Sequence, residues 1–309
     1  MKLSIVSTLY KSESYVAEFC ERCELAAQSL VGDSYEIILV NDGSPDRSLS
    51  LALKAQKTLS NLVVLDLSRN FGHHKAIMAG LHESSGDKIF MIDCDLEVAP
   101  ESLIDFWNSF EHDASADVIV ATVESKGNSF FKGLLSNAFY FIYNKLVDLK
   151  LDNKELATRL MNRSYLDALL QYPEYELYLG GLLHDVGFKQ VNILVSRTSN
   201  KVSSYSLKKR VDLALTALFS FSSKPSLYIF YSGIFFSAIS VGYSAFIISQ
   251  KLISGRPLLG WTSLMAAICV IGGITISSIG IIGIYTSKIF FEVKNRPLYH
   301  IKKIYRHGN

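Results

Sequence analysis

EIILVNDGSPDRSLSLALKAQKTLSNLVVLDLSRNFGHHKAIMAGLH, residues 36–82, carries the pattern on which the fold turns. Glu36–Val40 and Leu62–Leu67 are short apolar, β-branched runs of strand length. Each leads through turn-forming residues into a segment of helical period, Asp46–Leu59 and His73–His82. The alternation extends both ways. Leu3–Thr8 precedes the helical Glu13–Leu30, Lys88–Ile92 precedes Pro100–Phe110, and Val118–Ala121 reads as a fifth strand. Strands and helices in strict turn predict an α/β domain with a mostly parallel sheet covered on both faces. Such sheets bind ligands outside the carboxyl ends of their strands, so the loop after each strand is where chemistry is expected.

Three of those loops carry polar residues in suggestive order. Asn41–Asp46, NDGSPD, is rich in turn formers, and Asp46 or Ser44 is placed to cap the next helix. Ser68–Lys75 ends with Lys75 in the first turn of a helix, where a cation opposes the macrodipole unless an anion lies nearby. After the fourth strand, Asp93 and Asp95 are one residue apart and repel each other unless a cation lies between them. Hard carboxylate oxygens suit Mg²⁺ or Mn²⁺, with substrate phosphates completing the shell. Other conspicuous residues read as structural. Cys20 and Cys23 share one helix face and are expected to be buried, and His73-His74 have no third ligand at zinc spacing.

The C-terminal third is of another kind. Ser226–Ser249 and Pro257–Ser287 contain no charge, and each exceeds the ~20 residues needed to cross a bilayer. Positive charge lies before them (Lys208, Lys209, Arg210, Lys224) and after them (Lys288, Lys294, Arg296, Lys302, Lys303, Arg306). The positive-inside rule then predicts a hairpin with both termini cytoplasmic. Tyr205–Phe221 has an apolar face beside Lys208–Arg210, as an interfacial amphipathic helix does. The expected divisions are a catalytic domain over 1–200, a juxtamembrane helix over 201–224, a two-helix hairpin over 225–288 and a basic cytoplasmic tail over 289–309.

The chain has 309 residues, 49% of them hydrophobic and only 19% charged. Mean hydropathy is +0.22. Ample apolar content excludes disorder, and a net charge of +2 gives no electrostatic basis for binding nucleic acid. Four cysteines at this length do not make a disulfide scaffold. The opening MKLSIVSTLY turns polar too soon for a signal peptide, so the N-terminal part is expected to stay on the side of synthesis.

Taken together, Ser4–Tyr10, NDGSPD at 41–46, SRNFGHHKA at 68–76, IDCDLE at 92–97, Arg159–Arg163 and SFSSKP at 220–225 resemble glycosyltransferase family 2. The likeness is to its membrane-anchored polyprenyl-phosphate members, related to dolichol-phosphate mannose synthase and the bactoprenol glucosyltransferases. The resemblance implies a Rossmann-like domain of GT-A type, an inverting transfer, a nucleotide-sugar donor with UDP-sugars favoured, and a lipid-phosphate acceptor. It implies that Thr8, Tyr10 and Asp42 hold base and ribose, with Lys75 nearby. Asp95 would bind the metal on the diphosphate and Asp93 would support nucleotide and metal, making these two the catalytic pair. Lys132 and Ser136, four apart on one helical face, and Arg197 in a second basic loop match residues that grip the lipid phosphate. Arg159 and Arg163 are further candidates, unless they pair with Glu155 or Asp167. Relatives imply a homo-tetramer.

The sequence departs from the family in places. Glu97 stands where Gln is usual and offers a third metal ligand. Many relatives have Gly-Asp-Phe-Arg before the equivalent of Arg159, with the Asp proposed as catalytic base; here the residues are Leu156-Ala157-Thr158-Arg159. A sugar-hydroxyl acceptor needs a base, worth about 10²- to 10⁴-fold. A phosphate monoester, with a second pKa near ~6, arrives at neutral pH already anionic. The expected function is therefore transfer of one sugar to undecaprenyl-type phosphate at the inner membrane, for cell-envelope glycan. Two alternatives stand beside it. One is transfer to a sugar hydroxyl of a lipid-linked glycan, with Glu155 or Asp152 as base. The other is a catalytically weak scaffold binding donor and lipid.

Overall fold

The computed structural model describes residues 2–123, 154–172, 174, 179–197, 224–254 and 260–307. Its first five strands fall where the apolar runs predict: β1 (Leu3–Leu9), β2 (Tyr35–Asn41), β3 (Leu62–Leu67), β4 (Lys88–Met91) and β5 (Val118–Thr122). Between them run α1 (Val16–Val31), α2 (Ser48–Gln56), α3 (His73–Glu83) and α4 (Leu103–His112), the last preceded by a 3₁₀ turn at Pro100–Ser102. Proline at the first position of that turn sacrifices no hydrogen bond, which is why the helical pattern can open there.

Further elements escape a periodicity reading. These are β6 (Glu155–Asn162), α5 (Arg163–Leu169), α6 (Leu179–Asp185), β7 (Gln190–Leu194) and β8 (Ile301–Tyr305). All the strands form one sheet in the order β7-β5-β6-β4-β1-β2-β3-β8. β1 pairs in parallel with both β2 and β4, β2 with β3, and β5 with β7. β6 runs antiparallel between β4 and β5, and β8 antiparallel along β3. β1, β2 and β3 are buried at every position, as strands covered on both faces must be. Alternate residues feed two core layers. Ile5, Leu39 and Phe90 face α1 and α4, while Val6, Val40 and Met91 face α3 and α5.

The chain leaves β1 toward β2 and β3 on one side, then returns through β4 to β1's other edge. The carboxyl ends of β1 and β4 therefore flank the topological switch point, where this class of sheet opens its crevice. Residues 289–309, expected as a basic tail, are mostly ordered structure. A long helix runs to Val293, and Ile301–Tyr305 completes the sheet as an edge strand, its two lysines exposed. Lysines on a solvent-facing edge read as a charged tail in sequence because edge strands carry such charge to resist further pairing.

The first uncharged run lies within the helix α7 (Lys224–Ser254), and from Trp261 on the second is helical in α8 (Trp261–Val293). Among the described residues, one stretch, Ile271–Val293, is long and apolar enough to cross a membrane by length and composition. In α7 the apolar stretch among the described residues is Ser226–Phe236. The two helices touch along a groove lined by Ile229, Ser232, Gly273 and Ser277. Elsewhere large apolar side chains such as Phe235 and Ile276 point outward.

Candidate active site

The loops after β1, β2 and β3 are locked to one another. Asp42, only 2% exposed, begins the loop that follows β2. Its Oδ1 accepts the amide of Phe71 at 2.7 Å and its Oδ2 that of Gly72 at 3.0 Å. Both oxygens thus hold the third loop against the second. Gly43 makes the approach feasible. Its φ is +59°, and a Cβ there would lie 2.5 Å from the amide nitrogen of Asn70. The first loop joins through Ser44 and Ser48, whose hydroxyls accept the amides of Lys11 at 2.8 Å and Ser12 at 2.9 Å. Asp46 begins α2 by accepting the amide of Ser48 at 3.0 Å and the Ser44 hydroxyl at 2.6 Å. Desolvation works against its charge, but these hydrogen bonds outweigh it and bring the carboxyl down to about 2.

Across the switch point, Thr8 at the end of β1 meets His73 at the start of α3, Oγ1 to Nδ1 at 3.0 Å. The other ring nitrogen of His73 lies 3.5 Å from Asp93 Oδ1. A single imidazole therefore bridges the expected nucleotide pocket and the acidic loop. Tyr10 is 48% exposed at the mouth, and Lys75 is half-buried in the first turn of α3.

The acidic loop reverses sharply, with Leu96 at φ +58° and Asp95 Oδ1 accepting the amide of Glu97 at 3.0 Å. Partial burial, with Asp93 and Glu97 adding negative charge, pushes the Asp95 carboxyl up; the Glu97 amide and Arg197 oppose this. Glu97 Oε2 takes the guanidinium of Arg197, with Nε at 2.7 Å, and Val98 and Arg197 form an antiparallel bridge. The expected third metal ligand and one expected acceptor-phosphate cation are thus partners.

Arg159 is not at the surface. It is 3% exposed on β6, with Nε and Nη2 given to the carbonyls of Ala157 and Leu156, at 3.1 and 3.3 Å. Burial pulls its pKa down, with nearby Tyr165 and Glu155 opposing. In place of an exposed phosphate ligand, β6 supplies a buried strut. Arg163 likewise ties down the turn before β4, giving Nε to Gly86 O at 2.9 Å. The last registered pair of β4 and β6 is Met91 with Arg159; two residues on in each strand stand Asp93 and Ala157. Glu155 lies beyond, with its Oε2 2.8 Å from Nε2 of His184 on α6, both largely buried. Lys132, Ser136 and the segment Tyr205–Phe221 lie outside the described residues. The bridging role of His73 and the Glu155–His184 pair are not evident from sequence spacing. The usable signal for His73 was its position, first in a helix after a strand's carboxyl end.

Residues 4–170 match the family model Glycosyl transferase family 2. A bactoprenol glucosyl transferase of Shigella flexneri, derived from prophage SfII, is 34% identical over 317 residues, covering 100% of each chain. An uncharacterized glycosyltransferase of Synechocystis sp. is 32% identical over 311 residues, 99% of this chain and 96% of that protein. Among solved structures, a mannosyltransferase of Pyrobaculum calidifontis in complex with GDP-Man and Mn²⁺ superimposes with a TM-score of 0.49. It is 13% identical and covers 95% of this chain and 86% of that one. A family match over more than half of the chain, end-to-end relatives and loops gathered at the switch point agree: the chain belongs to glycosyl transferase family 2 and is a glycosyltransferase of GT-A-like α/β fold.

Proposed function

We propose that the chain is a membrane-anchored, inverting glycosyltransferase that moves a sugar from a nucleotide-sugar donor to polyprenyl phosphate. The observation that carries this reading is the 34% identity, over the full length of both chains, to a protein named for glucosyl transfer to bactoprenol. The membrane hairpin formed by α7 and α8 would hold the catalytic domain at the cytoplasmic face. One stretch of α8 has the length and composition for this, and α7 carries the second uncharged run.

The donor's nucleoside would sit over the interlocked loops bearing Thr8, Tyr10 and Asp42, with its diphosphate toward Lys75 and the acidic loop. A divalent cation fits these residues in part. Asp95 has its proton affinity raised by burial and by its acidic neighbours Asp93 and Glu97, a setting in which a cation would stabilise the carboxylate charge, and carboxylate oxygens are hard donors suited to such an ion. Among the described residues no three such side chains converge, so Asp95, with Asp93 and Glu97 beside it, would share the ion with diphosphate oxygens. When bound, Mg²⁺ or Mn²⁺ supplies charge neutralisation of the leaving nucleoside diphosphate.

Extending the β4–β6 register two residues past Met91–Arg159 sets Ala157 opposite Asp93, and a carboxylate base is missing at that position. An acceptor phosphate brings its own anionic oxygen to the anomeric carbon, so the protein needs to position it rather than deprotonate it. Arg197 would do so after exchanging its pairing with Glu97, together with Lys132 and Ser136. The Glu155–His184 pair favours a second reading, in which Glu155 serves as base for a sugar hydroxyl. The two readings separate in one assay. Purified protein is incubated with Mn²⁺, undecaprenyl phosphate and radiolabelled UDP- and GDP-sugars, and the lipid is extracted. Metal-dependent label in the lipid phase, lost in Asp95→Ala and kept in Glu155→Gln, supports lipid-phosphate transfer. Label only when a glycolipid replaces undecaprenyl phosphate supports the hydroxyl reading.

A further inference from the structure

The strand that follows the membrane helices reaches the loops assigned above to the donor. β8 pairs along β3 through Val64–Tyr305 and Leu65–Ile304, then slips register at Asp66 and Leu67. At that irregularity Lys302 Nζ lies 3.7 Å from Asp66 Oδ2. Asp66 is only 5% exposed, and a carboxylate so placed requires a cation and donors. Its other oxygen accepts Asn41 Nδ2 at 2.8 Å, and the Oδ1 of Asn41 in turn accepts the amide of Ser44 at 3.3 Å. The residue before β8 meets the next loop as well. His300 O accepts the amide of Ser68 at 2.9 Å, and its ring stands 6.2 Å from that of Phe71, whose amide is held by Asp42.

We infer that Lys302 is a positioning residue of the donor site, acting through Asp66 and Asn41 on the loop Asn41–Asp46. The inference rests on the reading that this loop carries the nucleotide. Lys302 is 69% exposed and far from β4, so it touches neither donor nor acceptor in that reading. Its ammonium orients Asp66, Asp66 fixes the Asn41 amide, and Asn41 fixes the turn at Ser44. The rest of β8 is anchored independently. Gln56 Nε2 donates to Tyr305 O at 2.6 Å, and Arg306 pairs with Glu83 at 3.2 Å. Removing the one charge at 302 therefore leaves the strand in place.

The test uses the full-length protein in detergent or nanodiscs. UDP and GDP binding is titrated in the presence of Mn²⁺, alongside initial rates against donor and acceptor. Lys302→Gln should weaken nucleotide binding about three- to fivefold, the scale of a partly exposed ion pair. Donor KM should rise by the same factor, with kcat, acceptor KM and melting temperature unchanged, and Lys302→Arg should restore it. Asp66→Asn should weaken binding at least as much, and adding Lys302→Gln to it should change nothing more. Wild-type affinity in Lys302→Gln, with binding lost in Asp42→Asn, would overturn the inference and leave the donor site intact. A fall in melting temperature together with binding, not rescued by Arg, would reduce β8 to a structural role and also overturn it. Nucleotide binding that is absent in the wild type, or indifferent to both Asp42→Asn and Gly43→Ala, would remove the donor-site reading itself and the inference with it.

Discussion

Asp42→Asn isolates the joint between the second and third loops. In the native protein one carboxylate accepts two backbone amides, at 2.7 and 3.0 Å, in a position 2% exposed. Asparagine is nearly the same size but offers one acceptor and one donor. One amide keeps a partner and loses the assistance of charge; the other faces an NH₂ group and is left unpaired. Leaving a buried donor unpaired costs about 1–3 kcal/mol, and loss of charge assistance about 1 kcal/mol more. The sum is about 2–4 kcal/mol. It can surface in two ways. If the loops stay closed, the whole amount appears as lower stability and a lower melting temperature. If residues 70–72 swing out instead, stability is spared and the nucleotide must close the site again, weakening its binding by roughly 30-fold to several hundred-fold. Differential scanning fluorimetry and UDP or GDP titration on the same preparation cover both outcomes. A variant that melts with the wild type and binds nucleotide within about threefold of it would refute the view that this carboxylate locks the loops.

Gly43→Ala should weaken nucleotide binding by at least about tenfold, because the new methyl meets the Asn70 amide at 2.5 Å in a left-handed backbone; an equilibrium titration checks it. Asp46→Ala should cost about 1 kcal/mol at pH 7, the scale of the hydrogen bonds its carboxylate accepts from the Ser48 amide and the Ser44 hydroxyl. Its folded pKa, about 2, lies below the ordinary 3.8, so the unfolded chain takes up the proton first as the pH falls. The native stabilisation is complete above about pH 5 and is lost progressively down to about pH 1, and the gap between variant and wild type in denaturant melts should narrow over that window. Arg197→Ala should raise acceptor KM by about tenfold or more while leaving donor KM within twofold, read from initial rates. Asp95→Ala should abolish metal-dependent transfer to lipid with the melting temperature unchanged, since that carboxylate accepts the amide of Glu97 within its own turn.

Five strands and four helices were legible because each buries an apolar run with clean punctuation. β1 reads LSIVSTL and is fully buried, and the loops after it are marked by Asn, Gly, Ser and Pro. β6 was missed because ELATRLMN places an arginine in its middle; the backbone carbonyls of Leu156 and Ala157 are what let Arg159 be buried there. β8 was missed because IKKIY follows a long apolar helix and its lysines suggest a solvated tail. At the site, residue types and their order along the chain located Asp42, Asp93 and Asp95 correctly at strand ends. Partnerships were a different matter. That Asp42 spends both oxygens on backbone amides, that His73 spans Thr8 and Asp93, and that Glu97 pairs with Arg197 depend on contacts across 20 to 100 positions of chain, to which local pattern is blind.

The place of β8 in the sheet also fixes an order of assembly. β3 is complete early in synthesis, but the strand that covers its outer edge emerges only after α7 and α8 have been made and have left the ribosome. At ~5–20 residues per second, that edge stays open for tens of seconds. During this interval it is a strand apolar at every position but Asp66, with unpaired backbone groups, a template for wrong partners. Completion of the catalytic sheet therefore waits on the helices that anchor it, and a chain whose α8 was misplaced would be left with an unfinished edge beside its donor loops.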